Sequence, residues 1–280
     1  MIEKTKKAAL FHDISCFGRC ALAVIIPIIS VLKIQPVLFP TALLSTHTGG
    51  FSNFTFHDLT GEIKKIIAHH EKLEVIPDCV YTGFLGSVEQ IKIIADYIEK
   101  QKSRGAYILV DPVMGDNGKL YSSYTGQMQK GMAALAKSAD IITPNMTEAF
   151  FLLDREYKNP PYNKDFTNKI MLELFEKFSN TEKIVITSIV LESDKYGVVY
   201  GDKNKTDYDY VFTRCHKKHY PGSGDIFSSV LCGKILNGTN LGEAVTSAVE
   251  FIDKIMEYTI NAGTPVREGL IFENFLQEIK

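Results

Sequence analysis

The length, composition and charge of the chain favour one ordinary globular domain. It has 280 residues, of which 45% are hydrophobic and 23% are charged, proportions that are unlike those of disordered, collagen-like or coiled-coil chains. With 31 Lys and Arg against 33 Asp and Glu, the formal net charge is −2. Such a chain has no overall field that would attract nucleic acid or an anionic membrane, so we expect neither as a partner.

Cysteine usage and the amino-terminal pattern predict a cytoplasmic protein. The 5 cysteines are too few for a disulfide scaffold, and Cys16 and Cys20 lack the second Cys/His pair that a zinc site would need. Polar and charged residues interrupt the amino-terminal apolar stretch, unlike the core of a signal peptide. The longest apolar run, 21–32, is shorter than the roughly 20 residues of a membrane span.

Apolar runs alternate with segments of helical period along most of the chain. In order, the sequence predicts strand 8–15, helix 20–34, strand 35–45, helix 59–73, strand 79–83, helix 87–102, strand 106–111, helix 123–138, strand 139–143 and strand 183–188. Ser87 and Gln90 have the spacing of a capping box at the start of their helix. Nearly continuous apolar strands between helices indicate a parallel sheet covered by helices on both faces.

The pattern changes after residue 188. Two alternating, aromatic-rich runs, 195–202 and 206–214, predict an antiparallel hairpin or sheet extension. Helices are predicted after it over 225–236, over 241–258 and near 270–279. Because neither a repeat nor a Pro/Gly/Ser linker divides the chain, we expect a single domain over 1–280.

Polar residues that come directly after the predicted strands are the candidates for a ligand site. In an open parallel sheet, ligands bind beyond the carboxyl ends of the strands. The residues at those positions are Asp13, Ser15, His47, Thr48, Phe84, Asp111, Asp116, Thr143, Asn145, Thr187 and Ser188. Several of these side chains can bind phosphate or Mg²⁺, and their convergence on one edge carries more weight than any one of them.

The sharpest local signal is the segment PGSGDIF at 221–227, where a helix is predicted to begin. Two glycines there let backbone N–H groups converge on a point that the helix dipole also makes favourable for negative charge. Asp225 could then act as a base that takes a proton from an alcohol, while the amides of Gly222, Ser223 and Gly224 hold a transferring phosphoryl group. A plain glycine turn before an ordinary helix explains the tetrapeptide equally well when it is taken alone.

Two other acidic segments support the phosphoryl-transfer interpretation. Asp111 and Asp116 lie in a turn that leaves a strand, where they could bind Mg²⁺ directly or through water. Asn145 and Glu148 open a helix at an i, i+3 spacing, and Glu148 could bind a metal or belong to a plain N-cap. The chain has no Walker A motif, which excludes a P-loop NTPase.

These motifs resemble those of the ribokinase-like superfamily and, within it, the pyridoxal/pyridoxamine kinases. The matching segments are STHTGG at 45–50, YTGFLGS at 81–87, DPVMGDNGKLY at 111–121, ADIITPNMTEAF at 139–150 and GSGDIF at 222–227. The likeness covers nearly the whole chain. It implies a ribokinase-like α/β fold, with three α/β/α layers, a mainly parallel central sheet and no large separate lid domain.

The resemblance also implies transfer of the ATP γ-phosphate to the 5′-hydroxymethyl group of pyridoxal, pyridoxamine or pyridoxine. Asp225 would be the catalytic base, the amides of 222–224 the anion hole, and Asp116 and Glu148 the residues that organise Mg²⁺. The nucleotide side would be formed by Asp111, Thr143, Asn145, Thr187, Ser188 and Phe227, with Asp111 and Thr143 also near any activating K⁺ or other monovalent cation and Phe227 beside adenine. The segment 118–124 resembles the flap over ATP, and a homodimer is expected because family members are commonly dimers.

On the vitamin side of such a site, His47 and Thr48 would face the polar edge of the pyridine ring and Phe84 would pack on the ring. Phe84 departs from the tyrosine that is common in the family, and core packing is its alternative role. Asp13 departs from the serine that many pyridoxal kinases carry. Its carboxylate could pair with the ammonium group of pyridoxamine or merely cap the following turn.

The nearest alternative function is that of a hydroxymethylpyrimidine kinase of thiamine synthesis, whose loop often reads GTGC where this chain has GSGD at 222–225. A sugar or nucleoside kinase would carry an early glycine pair followed by asparagine, which is not visible around 13–20. A non-catalytic protein that binds B6 vitamers or nucleotide is disfavoured, because the base and the metal candidates are intact. His219 is expected in a solvated loop or near the substrate, and Lys217 and Lys218 on a solvated face or near the ATP phosphates.

Overall fold

The computed structural model describes residues 4–191, 195–216 and 218–280. The elements in chain order are β1 (Lys7–Ser15), α1 (Leu22–Val31), β2 (Gln35–Leu44), β3 (Phe56–Asp58), α2 (Thr60–Lys72), β4 (Cys79–Thr82), α3 (Val88–Lys102), β5 (Tyr107–Val110), β6 (Gly115–Asp116), β7 (Lys119–Leu120), α4 (Gly126–Ala136), β8 (Ile141–Ile142), α5 (Met146–Leu152), α6 (Lys164–Lys177), β9 (Lys183–Val190), β10 (Tyr196–Asp202), β11 (Asp209–Thr213), α7 (Ser223–Leu236) and α8 (Leu241–Asn261). The 3₁₀ helices Val266–Glu268 and Glu273–Ile279 come after α8.

Within the described ranges, the strands form a 9-stranded sheet in the order β11-β10-β9-β8-β5-β4-β1-β2-β3. Pairing is parallel from β9 across to β2. The antiparallel strands lie at the edges, with β10 and β11 at one edge and β3 at the other. The predicted α/β class with a mainly parallel sheet is therefore confirmed, as is the absence of a separate lid domain from the described part of the chain.

Two apolar cores lie on the two faces of this sheet. On β1, Ala9 and Phe11 belong to the core that is covered by α2 to α6. Their neighbours Ala8 and Leu10 belong to the core that is covered by α1, α7 and α8. Because successive strand residues point to opposite faces, strands buried on both faces must be apolar throughout. The result is the predicted three-layer α/β/α arrangement, and no helix among the described residues has the length and apolarity that a membrane crossing requires.

The predicted capping box at the start of α3 is only half formed. Ser87 Oγ accepts a hydrogen bond from Gln90 N at 3.2 Å. The Gln90 side chain does not return a bond to Ser87: its Oε1 accepts from Gly86 N at 2.8 Å and its Nε2 donates to Thr41 O at 2.8 Å. Gln90 is buried, so its amide must be satisfied within the core. Tertiary partners have replaced the local motif.

Elements that depend on short or irregular segments depart most from the prediction. The last helix, predicted near 270–279, is a 3₁₀ helix over Glu273–Ile279. The helix α6 and the hairpin β6–β7 are absent from the predicted series. Local signals for α6 do exist, because Asn163 caps it through a bond from Phe166 N at 2.8 Å and buried apolar residues recur at helical spacing, at Ile170, Met171 and Leu174.

Candidate active site

The carboxyl ends of the parallel strands open into a cavity of about 560 Å³, a volume typical of small-molecule sites. The cavity lies at the edge of the sheet where the sequence predicts ligand binding. It brings together Asp13, His47, Thr48, Phe84, Asp111, Asp116, Thr143, Asn145, Glu148, Thr187, Ser188, Gly222, Ser223, Gly224 and Asp225.

Phe227 does not line this cavity, contrary to the prediction. Its side chain is 5% exposed and packs in the core that contacts α1, α7 and α8. Two residues along a helix correspond to a rotation of about 200°, so Phe227 points away from the face that carries Asp225. The expected contact with adenine has no support in this geometry.

The loop before α7 has the geometry of a backbone anion site. Gly222 takes a φ of 81°, and a Cβ at this position would collide with the Arg19 carbonyl oxygen, so only glycine fits. The first helical bond runs from Ile226 N to Gly222 O at 3.0 Å. The N–H groups ahead of Ile226 have no partner within the helix, and the helix dipole adds positive potential there. This end of α7 can therefore accept phosphoryl oxygens.

Asp225 stands in the first turn of α7 with a half-buried side chain. Its Oδ2 accepts a hydrogen bond from Ala21 N at 2.8 Å. Burial raises the pKa of Asp225 to about 7, the Ala21 amide opposes that rise, and the nearby charge of Asp13 adds to it. A carboxylate with a pKa near neutrality suits a general base, because it accepts a proton readily and about half of it is ionised at neutral pH.

Ser228 joins α7 to the ends of β5 and β8, a role that the sequence prediction did not include. Its Oγ donates to Asp111 Oδ2 at 3.1 Å and lies 3.1 Å from Thr143 Oγ1. Burial and the charge of Asp225 raise the pKa of Asp111 to about 8, while hydrogen bonds from Ser228 and Thr143 lower it. The i, i+3 spacing from Asp225 to Ser228 was an available signal, since it puts both on one helix face.

Asp116 is carried by the small hairpin β6–β7. Asn117 and Gly118 have φ values of 50° and 75°, the positive values that a two-residue type I′ turn needs and that the Asn-Gly pair predicts. The Asp116 carboxylate is exposed and accepts from Asn117 N at 2.8 Å and from Asn117 Nδ2 at 3.0 Å. Gly118 N donates to Thr147 Oγ1 at 3.0 Å, which docks the turn on α5.

Asn145 and Glu148 form the predicted N-cap of α5, and Glu148 also lines the cavity. The two residues form a complete capping box, with bonds from Glu148 N to Asn145 Oδ1 at 2.9 Å and from Asn145 N to Glu148 Oε2 at 2.8 Å. Glu148 Oε1 also accepts from Met114 N at 3.0 Å. The cap therefore fixes a buried carboxylate that still lines the cavity. Burial and the charge of Asp111 raise the pKa of Glu148 well above its usual range.

The donor set fits a cation that arrives with a phosphate ligand. Asp116 and Glu148 supply carboxylate oxygens to one side of the cavity, and Mg²⁺ is commonly held by one or two carboxylates together with substrate phosphates and water. Among the residues that the structure describes, no group of three or more His, Cys, Asp or Glu could hold a metal without such a ligand.

His47 lines the cavity, and its ring nitrogens bind backbone groups. Its Nδ1 accepts from Gly49 N at 3.0 Å, so Nε2 carries the proton that is shared with Arg267 O at 2.7 Å. Burial lowers the pKa of His47, which keeps the ring neutral. Both ring nitrogens therefore bind backbone groups and neither is available to the polar edge of a pyridine ring. Thr48 is exposed and lines the cavity, and its contact with a pyridine ring stays a prediction.

Asp13 and Phe84 both line the cavity. Asp13 Oδ2 accepts a hydrogen bond from Ser15 Oγ at 3.0 Å. Among the described residues, no backbone N–H of the following turn donates to the Asp13 carboxylate, so Asp13 does not cap that turn. Burial raises the pKa of Asp13 to about 6. Phe84 both lines the cavity and packs against the core under α2 to α6, with its ring centroid 6.1 Å from that of Tyr124.

Thr187 and Ser188 approach the site from β9. Thr187 N donates to Pro144 O at 2.9 Å, which brings this strand beside Asn145. Ser188 has a φ of 57°, and its Oγ accepts from Tyr196 OH at 3.2 Å.

Basic residues of the segment before α7 also line the cavity. They are His216, Lys218 and His219. His216 Nε2 lies 2.8 Å from Asp253 Oδ1 on α8, whereas Cys215 is exposed. Lys217 lies outside the described residues.

A family model decides the broad assignment. Residues 28–268 match the family described as phosphomethylpyrimidine kinase. The chain belongs to this family. It is therefore a pyridoxal kinase-like phosphotransferase of the ribokinase superfamily, as the motifs predict.

Solved structures of this kind match the whole chain. A candidate phosphomethylpyrimidine kinase of Bacteroides thetaiotaomicron superimposes with a TM-score of 0.94 at 39% identity, covering 100% of this chain and 95% of that one. Another crystal form of it, solved with pyridoxal, has a TM-score of 0.92 at 39% identity and covers 99% and 96%. The pyridoxal kinase of Lactobacillus plantarum has a TM-score of 0.90 at 28% identity and covers 99% and 97%.

Relatives with similar sequences fall into two substrate classes. The pyridoxal kinase of Dictyostelium discoideum is 28% identical over 65% of this chain and 62% of its own length, so the chain spans less than two thirds of that relative. A pyridoxal kinase of Actinobacillus pleuropneumoniae is 26% identical over 80% and 83%. A hydroxymethylpyrimidine/phosphomethylpyrimidine kinase of Staphylococcus aureus is 28% identical over 68% and 66%.

Proposed function

We propose that this kinase transfers the γ-phosphoryl group of ATP to the 5′-hydroxymethyl group of a B6 vitamer. The position of Asp225 carries the proposal. This carboxylate, with a pKa of about 7, lies at the amino-terminal end of α7 and lines the same cavity as Thr48 and Phe84. The crystal form of the Bacteroides relative that holds pyridoxal supports the choice of acceptor.

In the proposed reaction, Asp225 takes the proton of the 5′-hydroxyl group. The oxygen of that hydroxyl group attacks the γ-phosphorus of ATP at the same time. The bond from that phosphorus to the bridging oxygen breaks and ADP leaves. The amides of 222–224 bind the charge that develops on the phosphoryl oxygens. Asp116 and Glu148 would hold Mg²⁺, which supplies charge neutralisation at the phosphates. The segment 118–124 would exclude water from the reacting group.

The nucleotide and a monovalent cation have proposed contacts in the same cavity. Asp111 and Thr143, joined through Ser228, offer oxygen ligands to K⁺ or a similar ion near the phosphates. Asn145, Thr187 and Ser188 are proposed to bind phosphate oxygens. A homodimer and a cytoplasmic location are proposed from the family resemblance and the sequence pattern alone.

Hydroxymethylpyrimidine is the second candidate acceptor. The family model and the Staphylococcus aureus relative favour it, and its hydroxymethyl group would meet the same base. Asp225 stands where kinases of that class often carry cysteine, which favours the B6 assignment for this chain.

The deciding experiment measures ADP production by the purified protein with pyridoxal, pyridoxamine, pyridoxine and hydroxymethylpyrimidine, each with and without Mg²⁺. The proposal expects the highest kcat/KM for a B6 vitamer and no turnover without Mg²⁺. If kcat/KM for hydroxymethylpyrimidine exceeds kcat/KM for all three vitamers, the B6 assignment is wrong and hydroxymethylpyrimidine is the acceptor. Binding of vitamer and ATP without any turnover would instead indicate a non-catalytic binding protein.

A further inference from the structure

A carboxy-terminal segment contacts the short stretch of backbone whose amide binds Asp225. We call residues 266–273 the C-terminal clamp. Arg19 N donates to Glu268 O at 3.0 Å, and Arg19 Nε donates to Glu273 Oε1 at 2.6 Å. Two residues later, Ala21 N donates to Asp225 Oδ2 at 2.8 Å. The clamp therefore holds the short segment whose amide meets the proposed base.

Ala21 has a backbone conformation that needs such support. Its φ is 48° and its ψ is −139°, a region that L-residues with a Cβ rarely adopt. Strain of this kind persists only where the surrounding structure enforces it, and it is concentrated at functional sites. In this chain the strained residue is also the one whose N–H reaches Asp225.

Glycines allow three backbones to cross at Arg19. Gly222 takes a φ of 81°, and a Cβ there would collide with Arg19 O. Gly269, on the other side, takes a φ of 80°, and its Cβ would lie 2.7 Å from Arg19 O and 2.8 Å from Arg19 Cβ. The Arg19 backbone is thus held between the loop before α7 and the clamp.

The clamp is itself anchored to rigid parts of the fold. Leu270 and Phe272 are buried in the core with α1, α7 and α8. Ile271 N donates to Thr259 Oγ1 on α8 at 2.8 Å. At its other end, Arg267 O binds His47 Nε2 at 2.7 Å. These contacts give the clamp a fixed position from which to hold Arg19.

We propose that the C-terminal clamp is a positioning element for catalysis, which acts through Arg19 and the Ala21 amide to fix the carboxylate of Asp225. The clamp itself touches neither substrate nor phosphate in this scheme. The proposal rests on the assignment of Asp225 as the base under the proposed function.

The charged and titratable groups that face Asp225 define a useful readout. They are Asp13 on β1, Cys20 in the loop after β1, Tyr81 on β4, Asp111 at the end of β5 and Tyr121 in the segment 118–124. The hydrogen bond from Ala21 N lowers the pKa of Asp225. Loss of that bond should therefore move the acidic limb of kcat/KM to higher pH while these neighbours stay in place.

The first test compares Gly269→Ala with Gly263→Ala. Both glycines have positive φ, 80° and 68°, but a Cβ at Gly263 meets nothing within 4 Å, so the control also places an L-residue at a positive φ without touching Arg19. We expect Gly269→Ala to lower kcat by about ten- to a hundredfold, to raise the pH of the acidic limb, and to leave the KM for ATP nearly unchanged. Equal kcat and equal pH limbs in the two variants would overturn the proposal.

A milder pair of variants covers the case in which Gly269→Ala does not fold. Glu273 pairs with Arg19, whereas Glu278, on the same 3₁₀ helix and similarly exposed, pairs with Lys254. Because exposed ion pairs are weak, we expect Glu273→Gln to lower kcat by only about two- to fivefold, and Glu278→Gln to leave it unchanged. Identical kcat values for both would overturn the proposal.

A carboxyl-carbon NMR titration separates failure of the clamp from failure of the proposed function. Asp225, assigned by comparison with Asp225→Asn, should show a higher pKa in Gly269→Ala than in Gly263→Ala. This measurement needs no substrate. A shifted pKa without B6 turnover would support the clamp and count against the B6 assignment, whereas an unshifted pKa with normal turnover would overturn the clamp alone.

Discussion

Asp13, Asp111 and Asp225 face one cavity, the first two buried and the third half-buried. Loss of hydration raises the pKa of each, to about 6, 8 and 7. Their hydrogen bonds differ: a serine hydroxyl for Asp13, Ser228 for Asp111 and a backbone amide for Asp225. Of these three residues, only Asp225 stands at the amino-terminal end of a helix, where backbone N–H groups can bind a transferring phosphoryl group beside it. Environment, and not residue type, therefore separates the base from its neighbours.

Substitution of Asp225, the proposed base, should lower turnover strongly but leave nucleotide binding intact. We expect Asp225→Asn to lower kcat by about 10²–10⁴-fold, because the amide keeps the shape of the carboxylate but cannot take the proton. ATP affinity, measured by calorimetry, should stay within a few-fold of the parent. A kcat equal to that of the parent would show that another group is the base.

Asp13 should tilt the vitamer preference toward an amine. With a pKa of about 6, this carboxylate is ionised at pH 7.5 to 8 in the free protein (roughly one and a half to two pH units above its pKa) and can pair with the ammonium group of pyridoxamine. We expect Asp13→Ser to lower the ratio of kcat/KM for pyridoxamine over pyridoxal by about tenfold. Ser15→Ala, which keeps the carboxylate and removes its partner, serves as the control, and an unchanged ratio in Asp13→Ser would count against the pairing.

At the scale of elements, the site is made where four element ends meet. The ends of β1 and β5 bring Asp13 and Asp111, the first turn of α7 brings Asp225, and the capped start of α5 holds Glu148. The hairpin β6–β7 adds Asp116 and docks on α5 through Gly118 N and Thr147 Oγ1. Hydrogen bonds from Ser15, Ser228, Ala21 N and Asn145 N hold the carboxylates of Asp13, Asp111, Asp225 and Glu148 in place.

The hairpin gives an element-scale prediction. A Cβ at Gly118 would collide with the Tyr157 ring, at a φ of 75°, so Gly118→Ala should push the hairpin off α5. We expect the KM for ATP to rise by about tenfold, with a smaller change in the KM for the vitamer. Gly105→Ala, with a φ of 90° and open space around its Cβ, is the matched control. Parallel changes in both Michaelis constants would argue against a nucleotide-side role.

At the scale of the whole molecule, the buried carboxylates lower stability at higher pH. Asp111 binds its proton more tightly in the folded state, with a pKa of about 8 against 3.8 in the unfolded chain. The folded state then holds more protons between these values, so this group's stabilising contribution is full below pH 4 and is lost as the pH rises toward 8. Buried neutral His12, whose pKa burial lowers to about 3, acts in the opposite direction below pH 6.5.

A difference measurement isolates the effect of Asp111. Without Mg²⁺ or nucleotide, Asp111→Asn should gain stability over the parent between pH 5 and pH 8 by at least about 1 kcal/mol. Urea unfolding of both proteins at the two pH values measures this gain, and the contribution of His12 cancels in the difference. A constant difference between the two proteins would show that Asp111 is ionised throughout.

The sequence by itself determined the alternation of strands and helices, the mainly parallel sheet and the positions of most cavity residues, because each depends on local periodicity or on the residues directly after a strand. Tertiary structure decided what local patterns cannot express. His47 was expected at the pyridine ring, but its nitrogens bind Gly49 and Arg267, the latter 220 residues away in sequence. Phe227 turned to the core, and Ser228 joined Asp111 to Thr143. These outcomes depend on which way a helix is rotated in its packing and on which distant backbone groups need partners, and both are settled only when the layers pack.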